Sequence, residues 1–195
     1  MLAFMSPQQK RQITDPQALR ALAHPLRLTL LELLTVDGPA SGRKLADRTG
    51  ESTASVSYHV GQLAKWGLVE PAPELAEGRE RPWRATSRGI TWSATGDGSP
   101  EFVAASRALR EQFIAQRLAA LEAYQRHQDD FDPAWQEAAW VGEDVGHLDP
   151  DELVEMTERI KAVVGEYTAA ARPRSARARR VAFFGYAVPS PDGPN

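Results

Sequence analysis

The apolar positions of this chain fall into helical stripes in several segments, and the most informative stripe lies between residues 52 and 69. Val56, Val60 and Leu63 share one helical face there, with Ala64 beside them. Thr53, Ser57, Tyr58, Gln62 and Lys65 lie toward the opposite face, which carries hydroxyls, an amide and an ammonium but no carboxylate. Such a face hydrogen-bonds to base edges and phosphates without repelling a polyanion. Taken alone, it reads first as a solvated helix surface, and the flanking segments have to decide.

Upstream, residues 1–13 read as a loose, flexible leader. Asp15 and Pro16 then read as the cap and first residue of a short helix through Ala18, Leu19, Leu22 and Ala23. Pro25 disfavours helix at His24 and starts a second helix. Its Leu26, Leu28, Leu30, Leu31, Leu33 and Leu34 are apolar nearly all round and mark the central core helix, which Asp37-Gly38-Pro39 ends. Residues 41–50 form a third, short helix with Leu45 and Ala46 inward and Gly50 as its stop. Glu51 makes the turn and Ser52 caps the helix that follows. Two helices across a tight Gly-containing turn make a helix-turn-helix. Gly67 closes the recognition helix, and residues 68–73 and 82–86 are short extended runs around the polar tip 74–81. Prolines in both runs point to edge strands. A helix-turn-helix followed by such a hairpin is a winged helix.

The second half begins with a Gly/Ser/Thr-rich connector, residues 86–99, with Trp92 expected to tuck against the first domain. A long helix then runs from residue 99 to about 129, roughly 45 Å at 1.5 Å per residue. Phe102, Leu109, Phe113, Ile114, Leu118, Leu121 and Tyr124 give it one apolar stripe. One small domain cannot cover so long a stripe, so Phe102, Leu109, Phe113, Leu118 and Leu121 are expected to meet a second copy. The competing arrangement is a monomer whose C-terminal segment folds back. Asp132-Pro133 fits a short helix start, and residues 139–145 look more like a strand. Asp149 and Glu152 frame a capping box for a helix with Leu153, Met156, Ile160, Val163 and Tyr167 on one face, reaching about residue 171. Residues 172–180 hold five arginines and no acid, and residues 181–188 read as another strand. The predicted architecture is mainly α with small β. It comprises a leader (1–13), an N-terminal winged helix-turn-helix domain (14–95), a long linking and dimerisation helix (99–129), a small α+β C-terminal unit (130–188) and a tail (189–195).

Charge and composition narrow the chemistry. The net charge of -3 over 195 residues conceals an asymmetry. Residues 1–95 hold 12 Lys/Arg against 9 Asp/Glu, whereas residues 96–195 hold 11 against 17. A mildly basic first half and an acidic second half suit a nucleic-acid-binding module joined to a regulatory or assembly module. The chain has no cysteine, which excludes disulfides, thiolate metal sites and a cysteine nucleophile. No signal peptide opens it and no apolar run is long enough for a membrane, so a cytoplasmic setting without membrane contact is expected. Neither His127 with Asp129 and Asp130 nor His147 with Asp149 has the multi-histidine spacing of a metal site. Gly-rich phosphate loops, nucleophile elbows and paired-His helix motifs are absent, so no catalytic role, metal or cofactor is assigned. Trp135, Trp140, Phe183 and Tyr186 fit either a plain core or the walls of a pocket for a small organic effector.

Several spaced motifs over residues 15–90 resemble the ArsR-type (arsenic-repressor-type) family of bacterial winged-helix transcriptional regulators. They are Ala23-His24-Pro25-Leu26-Arg27, Ser55-Val56-Ser57-Tyr58-His59-Val60, Leu63 and Gly67-Leu68-Val69. The resemblance implies a homodimer that binds double-stranded operator DNA and whose binding an effector alters. It places Ser55, Ser57, Tyr58 and His59 where the recognition helix meets the major groove, and Arg79 and Arg81 on the wing. Gln62 joins the base-contact candidates. Arg43, Lys44, Ser52, Thr53 and Lys65 join the two wing arginines as phosphate candidates. Two departures stand out: the cysteine pair of the arsenic- and cadmium-sensing members is missing, and Glu74, Glu77 and Glu80 share the wing with its arginines. The expected function is therefore a DNA-binding transcriptional regulator, more specifically a repressor. The alternatives are a winged-helix protein-interaction module without DNA binding and a metal-responsive repressor that does not use cysteine.

Overall fold

The computed structural model describes residues 10–76, 78, 80–168 and 175–189. They divide into two compact units, the first ending at Arg126 and the second beginning at His127.

Four helices build the centre of the first unit. Helix α1 (Pro16–Leu22) starts where Asp15 accepts a hydrogen bond from the Gln17 N–H at 2.7 Å. Helix α2 (Pro25–Val36) starts at His24, whose ring nitrogen takes the part that a hydroxyl or carboxylate usually plays at a cap. Ser41 caps α3 (Gly42–Thr49) and Ser52 caps α4 (Thr53–Lys65). Between α3 and α4, Gly50 sits at φ +71°, a left-handed conformation that lets the chain turn within three residues. Leu19, Leu22, Leu30, Leu45, Val56, Val60 and Leu63 interlock as the core, each nearly free of solvent contact.

Strand β1 (Arg11–Gln12) precedes these helices, β2 (Ala40–Ser41) lies between α2 and α3, and β3 (Val69–Pro71) and β4 (Pro82–Ala85) follow α4, with β5 (Ile90–Thr91) last. β2, β4 and β3 form an antiparallel sheet in that order, with Ser41 opposite Pro82 and Glu70 opposite Arg84. The second extended run is thus the central strand and not an edge, which corrects the expectation drawn from its proline. Pro82 is the first residue of β4, where a missing N–H costs least, and its carbonyl accepts from the Ala72 N–H at 2.8 Å. The expected leader is also shorter than 13 residues. Arg11 and Gln12 pair in parallel with Ile90 and Thr91, the Arg11 N–H reaches the Gly89 carbonyl at 2.9 Å, and Ile13 is buried. A two-residue strand is too short to show as a periodicity.

Helix α5 (Pro100–His127) has 28 residues and is about 42 Å long. Phe102, Ala105 and Leu109 enter the core of the first unit, and Phe113 packs against it. Phe102 and Leu109 are therefore unavailable to a second copy, which corrects their assignment to a dimer interface. Buried Ser106 donates to the Ser93 carbonyl and accepts from the Trp92 indole N–H, both at 3.2 Å. Farther along, Gln116 donates to Thr29 at 3.0 Å and Arg117 forms a half-buried two-pronged pair with Glu32, fastening α5 to α2. Beyond these contacts Ile114, Leu118 and Leu121 are exposed.

In the second unit a 3-10 turn (Gln128–Asp130) leads to α6 (Pro133–Ala138) and then α7 (Pro150–Thr168). The Asp149 N–H donates to Glu152 and the Glu152 N–H donates to Asp149, each at 2.9 Å, which is the reciprocal capping box expected from the sequence. The strands expected at 139–145 and 181–188 are absent, so this unit is not α+β among its described residues. Each run is interrupted by a glycine, Gly142 or Gly185, and an isolated extended segment has no partner to satisfy its backbone. Among the described residues no helix is long and apolar enough to cross a membrane.

Candidate nucleic-acid interface

Helix α4 is fixed at both ends. At its start Ser52 accepts from the Ser55 N–H at 3.1 Å. At its end the Leu68 N–H reaches back to the Leu63 carbonyl at 3.0 Å and the Gly67 N–H to Ala64 at 2.8 Å, with Gly67 at φ +62°. This pair of bonds, with Leu63 and Leu68 both buried, is a Schellman closure. The Gly67 carbonyl accepts from the Thr86 hydroxyl at 2.8 Å and from the Arg11 guanidinium. Val56, Val60 and Leu63 hold the inner face in the core, and the outer face follows from their spacing.

On that outer face Thr53, Ser57, Tyr58 and Lys65 are exposed, Tyr58 by 61%, and Ser55 and Gln62 are half-buried. Lys65 extends beside the Trp66 ring at 5.8 Å from its centroid, and Ser52 is exposed as well as capping. Arg43 and Lys44 are exposed on the first turn of α3. Thr53, Ser57, Tyr58 and Lys65 thus lie on exposed surface of a helix that carries no carboxylate, and such side chains can hydrogen-bond to phosphates and base edges.

His59 behaves differently. Its ring stacks on His24 with centroids 4.5 Å apart, meets Tyr58 edge-on at 5.0 Å, and brings Nδ1 within 3.5 Å of an Arg27 nitrogen. His24 in turn accepts the Leu26 N–H on its own Nδ1 at 3.2 Å, and Arg27 donates to the Ala21 carbonyl. Burial lowers the pKa of both imidazoles from the ordinary value of 6.5, Arg27 lowers them further, and Glu51 opposes the shift. The structure therefore turns His59 toward the start of α2, where a neutral ring packs between elements, instead of presenting it with the base-contact candidates.

The wing is the β3–β4 hairpin. Arg81 is exposed at the end of the connecting loop, next to the start of β4; Arg79 lies outside the described residues. Arg84, which no sequence motif singles out, donates to Glu70 at 2.7 Å and also pairs with Glu74. The Glu70 hydrogen bond, followed by the charge of Glu74, raises the guanidinium pKa above its ordinary value. Two carboxylates on one arginine leave this part of the wing negative, an unfavourable surface for phosphate. The hairpin register holds the signal, because Glu70 and Arg84 are directly opposed. The contact of Arg27 with His59 has no such signal, since the packing of α2 on α4 brings together residues 32 positions apart.

The aromatic candidates of the second unit do not converge. Trp135 lines an open groove with Ala134, Ala138, Ser175, Arg177 and Ala178. Trp140 and Tyr186 are 76% and 82% exposed, and Phe183 is exposed too. Arg179 stacks over Phe131 at 5.5 Å. Among the described residues no group of three His, Asp or Glu side chains is placed to hold a metal ion.

Two helices across a three-residue turn, followed by an antiparallel hairpin, define a winged helix-turn-helix domain. In agreement, residues 22–72 match the family of helix-turn-helix domains. Among solved structures, a possible transcriptional regulator for arsenical resistance is 30% identical, covering 54% of this chain and 93% of its own, with a TM-score of 0.32. The homodimeric winged helix-turn-helix DNA-binding domain of a possible ArsR-family regulator from Mycobacterium bovis is 24% identical, covering 58% and 86%, also at 0.32. A variant of Lactococcus lactis ZitR in complex with DNA is 15% identical, covering 73% of each chain, at 0.33. No curated protein matches the chain. Residues 22–72 thus carry a helix-turn-helix domain, and the hairpin that closes the first unit makes it a winged one.

Proposed function

We propose that the chain is a homodimeric repressor that reads operator DNA with α4. One observation carries the reading: the outward face of α4 is polar, lacks carboxylates, and is held rigidly by a buried inner face and by closures at both ends. Ser55, Ser57, Tyr58 and Gln62 read bases in the major groove. Arg43, Lys44, Ser52, Thr53 and Lys65 contact phosphates, and Arg81 contributes from the wing. The exposed distal half of α5, with Ile114, Leu118 and Leu121, supports the dimer, because a helix this long ends in apolar surface that its own domain leaves uncovered. Two copies would then read half-sites on one face of the duplex. The proposal needs no effector, since the aromatic residues considered for a pocket are not gathered into one.

A mobility-shift titration against fragments selected from the host genome tests it. Ser57→Ala with Tyr58→Ala should weaken operator binding by about 1–3 kcal/mol for each direct base interaction removed, while sparing non-specific binding. An equal fall in both would show that these residues do not read sequence. Leu118→Asp with Leu121→Asp should give a monomer by sedimentation and abolish operator binding, and a reporter gene that falls silent with the intact protein fixes the sign as repression.

A further inference from the structure

Helix α7 carries Leu153, Met156, Ile160 and Val163 at alternating spacings of three and four, the seam positions of a heptad. None of its residues is buried, and Ile160 and Val163 on this seam are 43% and 56% exposed. In the same frame the row beside the seam reads Glu152, Arg159, Glu166, one cation seven residues from a carboxylate on either side. Arg159 makes a long 3.5 Å pair with Glu155 on its own helix, and both side chains remain widely exposed. Lys161 pairs with Glu158 on the outer side.

We propose that this seam is a second self-association surface, on which α7 packs antiparallel against α7 of another copy of the chain. Charge selects the direction. In an antiparallel pair the flanking row meets its own counterpart. A register that seats Ile160 against Val163 of the second copy also brings Arg159 beside Glu166 of that copy. The two-fold axis repeats both contacts. In a parallel pair the same row meets Thr157 and Val164, and its three charges find no match. Nineteen residues are too few for this pairing to hold two free chains together. It therefore rests on the dimer proposed above, which would hold the two helices at an effective concentration on the order of millimolar.

The absence of cysteine makes the test clean. In the full chain, Arg159→Cys with Glu166→Cys should give a disulfide-linked dimer under mild oxidation, whereas either substitution alone should give little. Two helical turns, about 10.5 Å, separate the two positions in one chain, too far for an internal disulfide. A protein that sediments as a dimer when reduced but does not cross-link overturns the α7 pairing and leaves the dimer reading intact. A protein that is monomeric when reduced overturns both. Equally efficient cross-linking of Arg159→Cys alone overturns the antiparallel register. A second measurement needs no cysteine: Arg159→Glu should raise the dimer dissociation constant about fivefold, and adding Glu166→Arg should restore it. No restoration would rule out the ion pair.

Discussion

The two units contain the same kinds of apolar side chain and use them in opposite ways. In the first, Leu22, Leu30 and Leu63 come from three helices into one buried cluster and lose their water. In the second, α7 has a comparable stripe and a well-made cap, yet none of its residues is buried. Periodicity and capping are enough to place a helix, but burial needs a second surface at the right distance. That is why every helix start of the first unit and the start of α7 can be read from the chain, whereas the packing around α7 cannot.

The largest test of this contrast is a matched pair of core deletions. Leu30→Ala should cost about 2–5 kcal/mol in urea unfolding of the first unit. Ile160→Ala should cost less than about 0.5 kcal/mol in dilute, monomeric protein, as a surface substitution does; a large loss there would show that α7 is covered within its own chain. A second pair should differ in sign. Gly67→Ala forces a side chain into a left-handed turn and brings its Cβ to 3.1 Å from the Arg11 guanidinium, for a loss of about 1 kcal/mol or more. Gly165→Ala in α7 meets nothing within 4 Å and should raise helix content by circular dichroism, gaining up to about 1 kcal/mol.

Caps give a smaller difference. Ser52→Ala should lower global stability by about 1 kcal/mol, because α4 is part of the cooperative core. Asp149→Ala should speed amide exchange in the first turn of α7 and leave the main unfolding transition where it was. The smallest effect is that of pH. His24 and His59 have folded pKa values below 6.5, so the unfolded chain binds more protons as the pH falls. The stability they contribute is complete above about 6.5 and is lost as the pH falls through the depressed values. The urea midpoint should therefore drop between pH 7.5 and 5, and His59→Gln should flatten that drop.

Much of the interface is legible in the amino-acid sequence. The apolar repeat of Val56, Val60 and Leu63 fixes which way α4 faces, and the two turn glycines fix where it begins and ends. Three things are not legible there. β1 and β2 are two residues each, too short to leave a pattern. The half of α5 that turns inward cannot be separated from the half that does not, since one stripe runs through both. His59 has the look of a base reader because it lies among them in sequence, and the packing of its ring on His24 leaves no trace there.

The grip of Arg11 on the Gly67 carbonyl bears on how this protein should be handled. A chain trimmed to begin at Asp15 would keep every helix of the winged helix-turn-helix domain and every residue proposed to contact DNA. It would nevertheless lose the N-terminal hold on the far end of α4, together with the strand that pairs with Ile90 and Thr91. Such a domain should fold and still bind less tightly than the full chain, and an affinity tag belongs at the other terminus.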